Sequence, residues 1–196
     1  MALALALPAV AAGEPLEFTL HTRSGIGVST SQKIFGVRDD PVDFTAPGLM
    51  ESSQLGLKLF GGFSFFLELT TITRAASSRR VATGLPLLEG STPFGVILGA
   101  GVGRFLWETG PYVSVAVGVS SDEMTVIDGT LTQTSPWGSG LGFSARVDRT
   151  WRAGEHLYFT VAGQFLYMAN PDRHDAGLVE STWGLGALLA ISYDYS

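Results

Sequence analysis

Apolar and polar residues alternate with a period of two through almost the whole chain after residue 15. This period places successive side chains on opposite faces of an extended strand, so it predicts β-strands rather than amphipathic helices. Each alternating segment is about 10 to 15 residues long, which exceeds the usual strand of a globular domain. No repeat or linker separates the segments, and we predict a single all-β domain over residues 15–196. The eight predicted strands are Leu16–Val28, Met50–Leu59, Phe63–Thr73, Phe94–Leu106, Tyr112–Ser120, Trp137–Arg149, Glu155–Met168 and Trp183–Tyr195.

The connections between these strands alternate between long and short. Long polar segments occupy residues 29–49, 74–93, 121–136 and 169–182, and tight turns occupy residues 60–62, 107–110 and 150–154. Transmembrane barrels have this arrangement, with short turns on the periplasmic side and long loops outside. The pattern therefore predicts an eight-stranded antiparallel up-and-down transmembrane β-barrel.

Composition agrees with a chain that faces lipid. Only 15% of its residues are charged, against a usual fraction of about 25%, and its mean hydropathy is +0.27. Such a chain is too apolar to be disordered, and without a run of Lys or Arg it is unsuited to nucleic acid. It has no cysteine, which excludes disulfides, Cys-ligated zinc and thiol chemistry. The longest apolar run, residues 1–12, is too short for a spanning helix, and we interpret it as a signal-peptide remnant.

Cross-strand register can be predicted for two of the hairpins. A three-residue loop with Gly62 at positive φ would pair Leu57 with Phe65 and keep one face apolar. In the sixth and seventh strands, pairing Arg149 with Glu155 gives one apolar face and one polar or small face. A slip of one residue would mix the two faces, so both registers are expected to be well specified.

The two faces of the predicted barrel differ in chemistry. One face carries large aliphatic and aromatic side chains, and the other carries charged, hydroxyl and glycine residues. The interior of an eight-stranded barrel is only wide enough for side chains, whereas lipid tails accept large aliphatic groups. We therefore predict that the apolar face lies outside and the polar face inside. The predicted lumen charge network comprises Glu17, His21, Lys58, Glu68, Arg146, Asp148, His156 and Asp194.

Aromatic residues fall near both ends of the predicted strands, as in the interfacial girdles of membrane barrels. The predicted outer girdle comprises Phe94, Trp137, Tyr167 and Trp183. The predicted inner girdle comprises Phe18, Phe63, Trp107, Trp151, Tyr193 and Tyr195.

The last predicted strand alternates hydrophobic residues and closes with aromatic ones: Trp183, Leu185, Ala187, Leu189, Ile191, Tyr193 and Tyr195. In this strand and in its architecture, the chain resembles the small eight-stranded outer-membrane proteins of Gram-negative bacteria, the OmpA/OmpX/OmpW-like superfamily. The resemblance implies a place in the outer membrane and contact with outer-membrane lipids and lipopolysaccharide. It also implies recognition by the outer-membrane assembly machinery and allows membership in an envelope protein complex.

The sequence predicts no catalytic, cofactor-binding or metal-binding residue. His21 and Ser24 fall on opposite faces and cannot form a catalytic dyad, and residues 172–175 are interpreted as a solvated turn. We therefore expect a non-enzymatic barrel that anchors or presents loops around a plugged polar lumen. Two alternatives stay open, a narrow OmpW-like channel for small or hydrophobic solutes and a soluble lipocalin-like carrier.

The predicted interior is uneven along the barrel axis. Its charges lie toward the periplasmic half, while glycines crowd the outer half. This distribution predicts a closed periplasmic floor and a shallow cavity that opens to the outside. Lys33, Met50, Glu51 and Arg74 are assigned to the solvated outer rim, where charged groups would meet water or lipid headgroups.

Overall fold

A computed structural model describes residues 19–37, 40–59, 62–74, 77–79, 88–91, 94–107, 110–128, 131–169 and 178–195. The predicted signal-peptide remnant, Glu17, Phe18 and residues 172–175 lie outside these ranges. The strands are β1 Thr19–Val37, β2 Asp40–Lys58, β3 Phe63–Arg74, β4 Ser77–Arg79, β5 Leu88–Ser91, β6 Phe94–Phe105, β7 Tyr112–Asp128, β8 Leu131–Arg152, β9 Leu157–Ala169 and β10 Leu178–Tyr195.

Eight of these strands close into an antiparallel up-and-down barrel. Each pairs with its neighbours along the chain, β3 pairs with β6, and β10 returns to pair with β1. The short strands β4 and β5 form a side hairpin on the outer part of β7. The predicted fold class is confirmed.

The register of the pairs sets the tilt of the strands. We move from Ser24 to its partner on the next strand and repeat this step once around the barrel. The path returns to β1 at Ile34, ten residues further along the strand. An offset of ten residues over eight strands tilts the strands by about 40° from the barrel axis. The intermediate positions on this path are Ser53, Leu69, Leu98, Val119, Leu141, Ala169 and Ser181.

Two of the predicted long loops are wrong. Strand pairing continues through residues 29–49 up to Val37 and Asp40, and through residues 121–136 up to Asp128 and Leu131. Ladder hydrogen bonds do not require an apolar face, so a hairpin can continue into water after its alternation in hydropathy has faded. Crossing a bilayer takes about 9–11 residues, whereas β1 and β2 have 19 each, β7 has 17 and β8 has 22. Both hairpins therefore project beyond the bilayer.

The two register predictions have different outcomes. Leu57 pairs with Phe65, and Gly62 has a φ of 74°, as predicted. Arg149 pairs with Val161 rather than Glu155, six residues away from the prediction. The Arg152 guanidinium donates to carbonyl groups in the following turn, so β8 runs on to Arg152 and the turn closes later. An even shift keeps every side chain on its predicted face.

The polarity of the barrel is inverted relative to a water-soluble protein. On the outer face, Leu189 is 69% exposed and Leu141 is 68% exposed, whereas Arg146 and Glu68 inside are each 1% exposed. A soluble carrier needs the opposite arrangement, because large exposed aliphatic surfaces are unfavourable in water. The lipocalin-like alternative is therefore wrong, and the exterior fits lipid. No helix among the described residues is long and apolar enough to cross a membrane.

Candidate functional site

The barrel interior holds the candidate functional groups, and they lie in layers. Along the inward face of β3, Glu68, Ile72 and Arg74 follow one another from the periplasmic end outward. On β1, every second residue likewise faces inward, and this alternation places His21 and Lys33 at opposite ends of the interior. Each layer can therefore be placed by its position along a strand.

The periplasmic end of the interior carries a partly open ion pair. The Lys58 Nζ donates to the Asp194 Oδ2 at 2.5 Å, and the two side chains keep 30% and 14% of their exposure. His21 pairs in register with Asp194 and is buried. Neither ring nitrogen of His21 has a hydrogen bond to a described residue.

A fully buried triad lies above this pair. The Asp148 carboxylate accepts from the Arg23 Nη1 at 2.5 Å and from the Arg146 Nε at 2.6 Å. The Arg23 Nε also donates to the Ser192 Oγ at 3.1 Å, and its guanidinium lies 4.4 Å from the centre of the Tyr112 ring. One carboxylate thus holds two guanidinium groups that are shielded from water.

Glu68 is the centre of the next layer. Its carboxylate accepts from the Gln54 Nε2 at 2.7 Å, the Thr70 Oγ1 at 3.0 Å and the Gln164 Nε2 at 3.3 Å. The Ser144 hydroxyl donates to it as well. Four donors from four strands satisfy this buried carboxylate, which ties the strands together across the interior.

An apolar layer fills the interior beyond Glu68. Its members belong to one contact cluster, which draws on β2, β3, β6, β9 and β10, and they are at most 2% exposed. Inward glycines make room for them: a side chain at Gly184 would meet Ile72, and one at Gly142 would meet Ile97. The prediction of an externally open cavity is therefore wrong at this level, because large side chains cover the glycines. The layer comprises Met50, Ile72, Ile97, Leu166 and Met168, and the same cluster extends toward the triad through Leu188 and Ala162, which pairs with Asp148.

An outer ionic layer closes the interior on the far side. The Asp122 carboxylate accepts from the Arg74 Nη1 at 3.1 Å and from the Thr182 Oγ1 at 2.5 Å, and the Lys33 Nζ lies 3.2 Å away. All of these side chains are buried. The assignment of Lys33, Met50 and Arg74 to a solvated rim is wrong, because strands β1, β2 and β3 carry them into the barrel.

The predicted lumen network is thus only partly assembled as expected. His21, Glu68, Arg146 and Asp148 lie inside, and Lys58 and Asp194 form their pair at the end of the interior. His156 lies in the turn after β8, with its ring 6.0 Å from that of Tyr193, so its predicted place in the lumen is wrong. The predicted strand began at Glu155, whereas β9 begins at Leu157 and leaves His156 in the turn.

Both predicted aromatic girdles lie on the exterior where their side chains are described. At the outer end, Phe94 and Tyr167 are exposed, and the Trp183 Nε1 donates to the Gln32 Oε1 at 2.5 Å. Trp137 belongs to β8, and its side chain is outside the described part. At the inner end the exterior residues are Phe63, Trp107, Trp151, Tyr193 and Tyr195.

The groups that sequence reasoning missed lie beyond the predicted strand ends. Asp122 lies two residues after the inward-facing Ser120, and Arg74 lies two residues after the inward-facing Ile72. Continuing the alternation of each strand by one more step would have predicted that both side chains face the interior. Glu51, assigned to the rim, lies within β2 on the outer face. Among the described residues, no group of three His, Asp or Glu side chains is placed to hold a metal ion.

A closed antiparallel barrel with a lipid-compatible exterior and a packed polar interior is an integral β-barrel of the outer-membrane type. No protein-family model and no curated protein sequence matches the chain. Its fold is similar to that of the outer membrane protease OmpT from Escherichia coli, with a TM-score of 0.54 and 9% identity over 93% of this chain and 99% of that one.

A second similar structure is Ail, the attachment invasion locus protein of Yersinia pestis. Its TM-score is 0.51, with 12% identity over 86% of this chain and 97% of Ail. Ail has also been solved with the heparin analogue sucrose octasulfate, and that structure matches with a TM-score of 0.50 and 12% identity over 86% of this chain and 98% of that one. At these identities the likeness concerns the fold, which agrees with the predicted resemblance.

Proposed function

We propose that the protein is a non-enzymatic, non-conducting outer-membrane barrel that holds extended β-hairpins above the bilayer. The apolar layer is the observation that carries this proposal. A permeating ion needs water or polar groups to replace its hydration shell, and the large apolar side chains of the layer leave only isolated hydroxyl groups such as that of Ser120. The buried ionic groups on both sides of the layer are paired, as expected of a structural plug.

The projecting hairpins supply the functional surface in this proposal. Strands β1 and β2 are paired up to Val37 and Asp40, and β7 and β8 up to Asp128 and Leu131. A rigid barrel that fixes both hairpins at their base would present their tips to partners outside the cell. We also propose that the exterior contacts outer-membrane lipids and lipopolysaccharide, that the assembly machinery inserts the chain, and that the barrel can join an envelope protein complex.

The absence of enzymatic activity is part of the proposal, although one similar structure is a protease. The Glu68, Asp122 and Asp148 carboxylates each hold several donors or cations, which leaves them unsuited to act as general bases. His21 has no hydrogen bond to a described hydroxyl group that it could activate. Purified protein is expected to leave peptide substrates intact.

Single-channel recording in planar bilayers tests the plug. The parent protein is expected to show no steady openings, and Ile97→Ser is expected to open the apolar layer to water and raise the frequency of brief openings. Leu98→Ser is the matched control, because Leu98 is the next residue of β6 and faces outward, with 57% exposure. Steady openings of the parent protein would refute the plug and favour the narrow-channel alternative.

A further inference from the structure

Six neighbouring polar residues form one patch on the exterior of β1, β2 and β3, where the rest of the barrel presents mainly aliphatic groups. Four of them are exposed and two are half-exposed. Leucine and isoleucine residues flank them on both sides, among them Ile26 and Leu69. We name this set the polar stripe. Its members are Thr22, Ser24, Ser53, Glu51, Thr71 and Thr73.

The polar stripe runs parallel to the barrel axis. Ser24 pairs with Ser53, and Glu51 pairs with Thr71, so the stripe passes from one strand to the next while also climbing along each strand. With strands tilted by about 40°, a step along a strand and a step to the next strand have sideways displacements in opposite directions. These displacements nearly cancel, so the stripe stays vertical. Successive members rise by about 3 or 5 Å, and the stripe covers about 20 Å of height within a width of about 6 Å.

Glu51 is the most unfavourable member of the stripe in lipid. It lies seven residues from the periplasmic end of β2 at Lys58, between the exposed Leu55 and Leu49 on the same face. No hydrogen bond or ion pair joins its carboxylate to another described side chain. A carboxylate at this depth is too far from either interface for a lipid headgroup to reach, so a lipid-exposed Glu51 would be costly.

We propose that the polar stripe is a dimer interface and that a second copy of this chain covers it. The stripe is a zigzag, with members on alternating sides of a line parallel to the barrel axis. A two-fold axis along that line places Glu51 of one copy between Ser53 and Thr71 of the other, about 5 Å and 3 Å away in height, respectively. The interface uses the same residues from both copies, as a closed symmetric dimer requires.

The hydroxyl groups of the stripe have the donors that this dimer needs. The Ser24 and Ser53 hydroxyls lie 3.1 Å apart, and either can donate to the other. When Ser24 donates to Ser53, the Ser53 proton is free to donate to Glu51 of the second copy. The Thr71 hydroxyl supplies a second donor to the same carboxylate. Small and hydroxyl-bearing residues are typical of interfaces between membrane segments, because they permit close approach and hydrogen bonding.

A second copy explains the stripe better than a lipid or an unrelated protein does. The stripe contains both an acceptor and donors, spaced so that two copies satisfy each other. The two Glu51 carboxylates lie on opposite sides of the axis, with hydroxyl groups as their nearest neighbours. The dimer proposal depends on the lipid-facing exterior and not on the plugged interior. An association measurement can therefore contradict the dimer while a conductance measurement supports the plug, and the reverse.

Fluorescence energy transfer between labelled copies in lipid vesicles tests the interface. The chain has no cysteine, so Ala153→Cys, in an exposed turn, gives one labelling site per copy. The parent is expected to dimerise as the protein-to-lipid ratio rises. Glu51→Leu with Ser53→Leu is expected to weaken association by about tenfold or more, whereas Glu51→Gln keeps an acceptor and is expected to retain the dimer.

Thr30→Leu is the matched control, because Thr30 is an exposed outer-face residue of β1 outside the stripe. It is expected to leave association unchanged, and heat-modifiable gel migration would show that each variant is folded. A disulfide across the axis provides a second readout, since Ser53→Cys should cross-link two copies and Thr30→Cys should not. A parent that is monomeric at every protein-to-lipid ratio, or a leucine variant that associates as well as the parent, would overturn the proposal.

Discussion

Replacement of Asp148 by Asn tests the buried triad most directly. Asp148 is 0% exposed and holds Arg23 at 2.5 Å and Arg146 at 2.6 Å. Asn has nearly the same volume but no charge, so the substitution leaves two buried guanidinium groups without their carboxylate. Arg23 and Arg146 retain hydrogen bonds to Ser192 and Ser52, which do not neutralise their charge.

The expected cost is large. Removing one partner of a buried ion pair destabilises a protein by about 3–5 kcal/mol, and here one carboxylate serves two cations. We expect Asp148→Asn to lower the free energy of unfolding by about 4 kcal/mol. Asp194→Asn is the matched control, since the Lys58–Asp194 pair retains contact with solvent. Its expected cost is about 1 kcal/mol or less, because water screens the pair.

Equilibrium unfolding by urea in lipid vesicles, followed by tryptophan fluorescence, measures both values. A double variant, Arg146→Leu with Asp148→Asn, removes one of the two orphaned cations and is expected to recover part of the lost stability. If Asp148→Asn and Asp194→Asn cost the same, burial does not govern the strength of these pairs and the reasoning is refuted.

Three further substitutions test other parts of the barrel by the same unfolding measurement. Val117→Arg on the outer face, where Val117 is 65% exposed, is expected to cost about 2–4 kcal/mol in a bilayer, and a neutral effect would argue against a lipid-facing exterior. Leu166→Ala is expected to cost about 2–5 kcal/mol by leaving a cavity in the apolar layer, which a small effect would contradict. Gly118→Ala is expected to cost about 1–3 kcal/mol, because the new methyl group would press on the Leu98 carbonyl. Gly163→Ala is its control, since nothing lies within 4 Å of the added carbon, and equal costs would refute the steric argument.

Alternation of side chains was sufficient to predict which residues face lipid and which face the interior. Leu57 and Phe65, on neighbouring strands, were assigned to one face and are indeed paired and exposed. The assignment survived even where register was wrong, because Arg149 moved by six residues and an even shift preserves facing. Which side chains face lipid and which face the interior can thus be predicted reliably for a barrel of this kind.

Strand ends and turn positions were harder to predict, for physical reasons. Lys33 was placed in a loop because the residues around it are polar, yet its backbone pairs with Phe44 as part of β1. The turn after β8 depends on hydrogen bonds from Arg152 to backbone carbonyl groups, which periodicity does not reveal. The outer ionic layer was therefore missed, although the parity of Arg74 and Asp122 indicates an inward direction.

The apolar layer also keeps two sets of charges apart along the barrel axis. Asp122 and its two cations lie on one side, and the triad around Asp148 lies on the other. Because no shared hydrogen bond links these groups, double substitutions at Asp122 and Asp148 should have additive energetic effects. The external end of the barrel can then evolve a different charge to suit its surroundings, while the triad keeps its own balance.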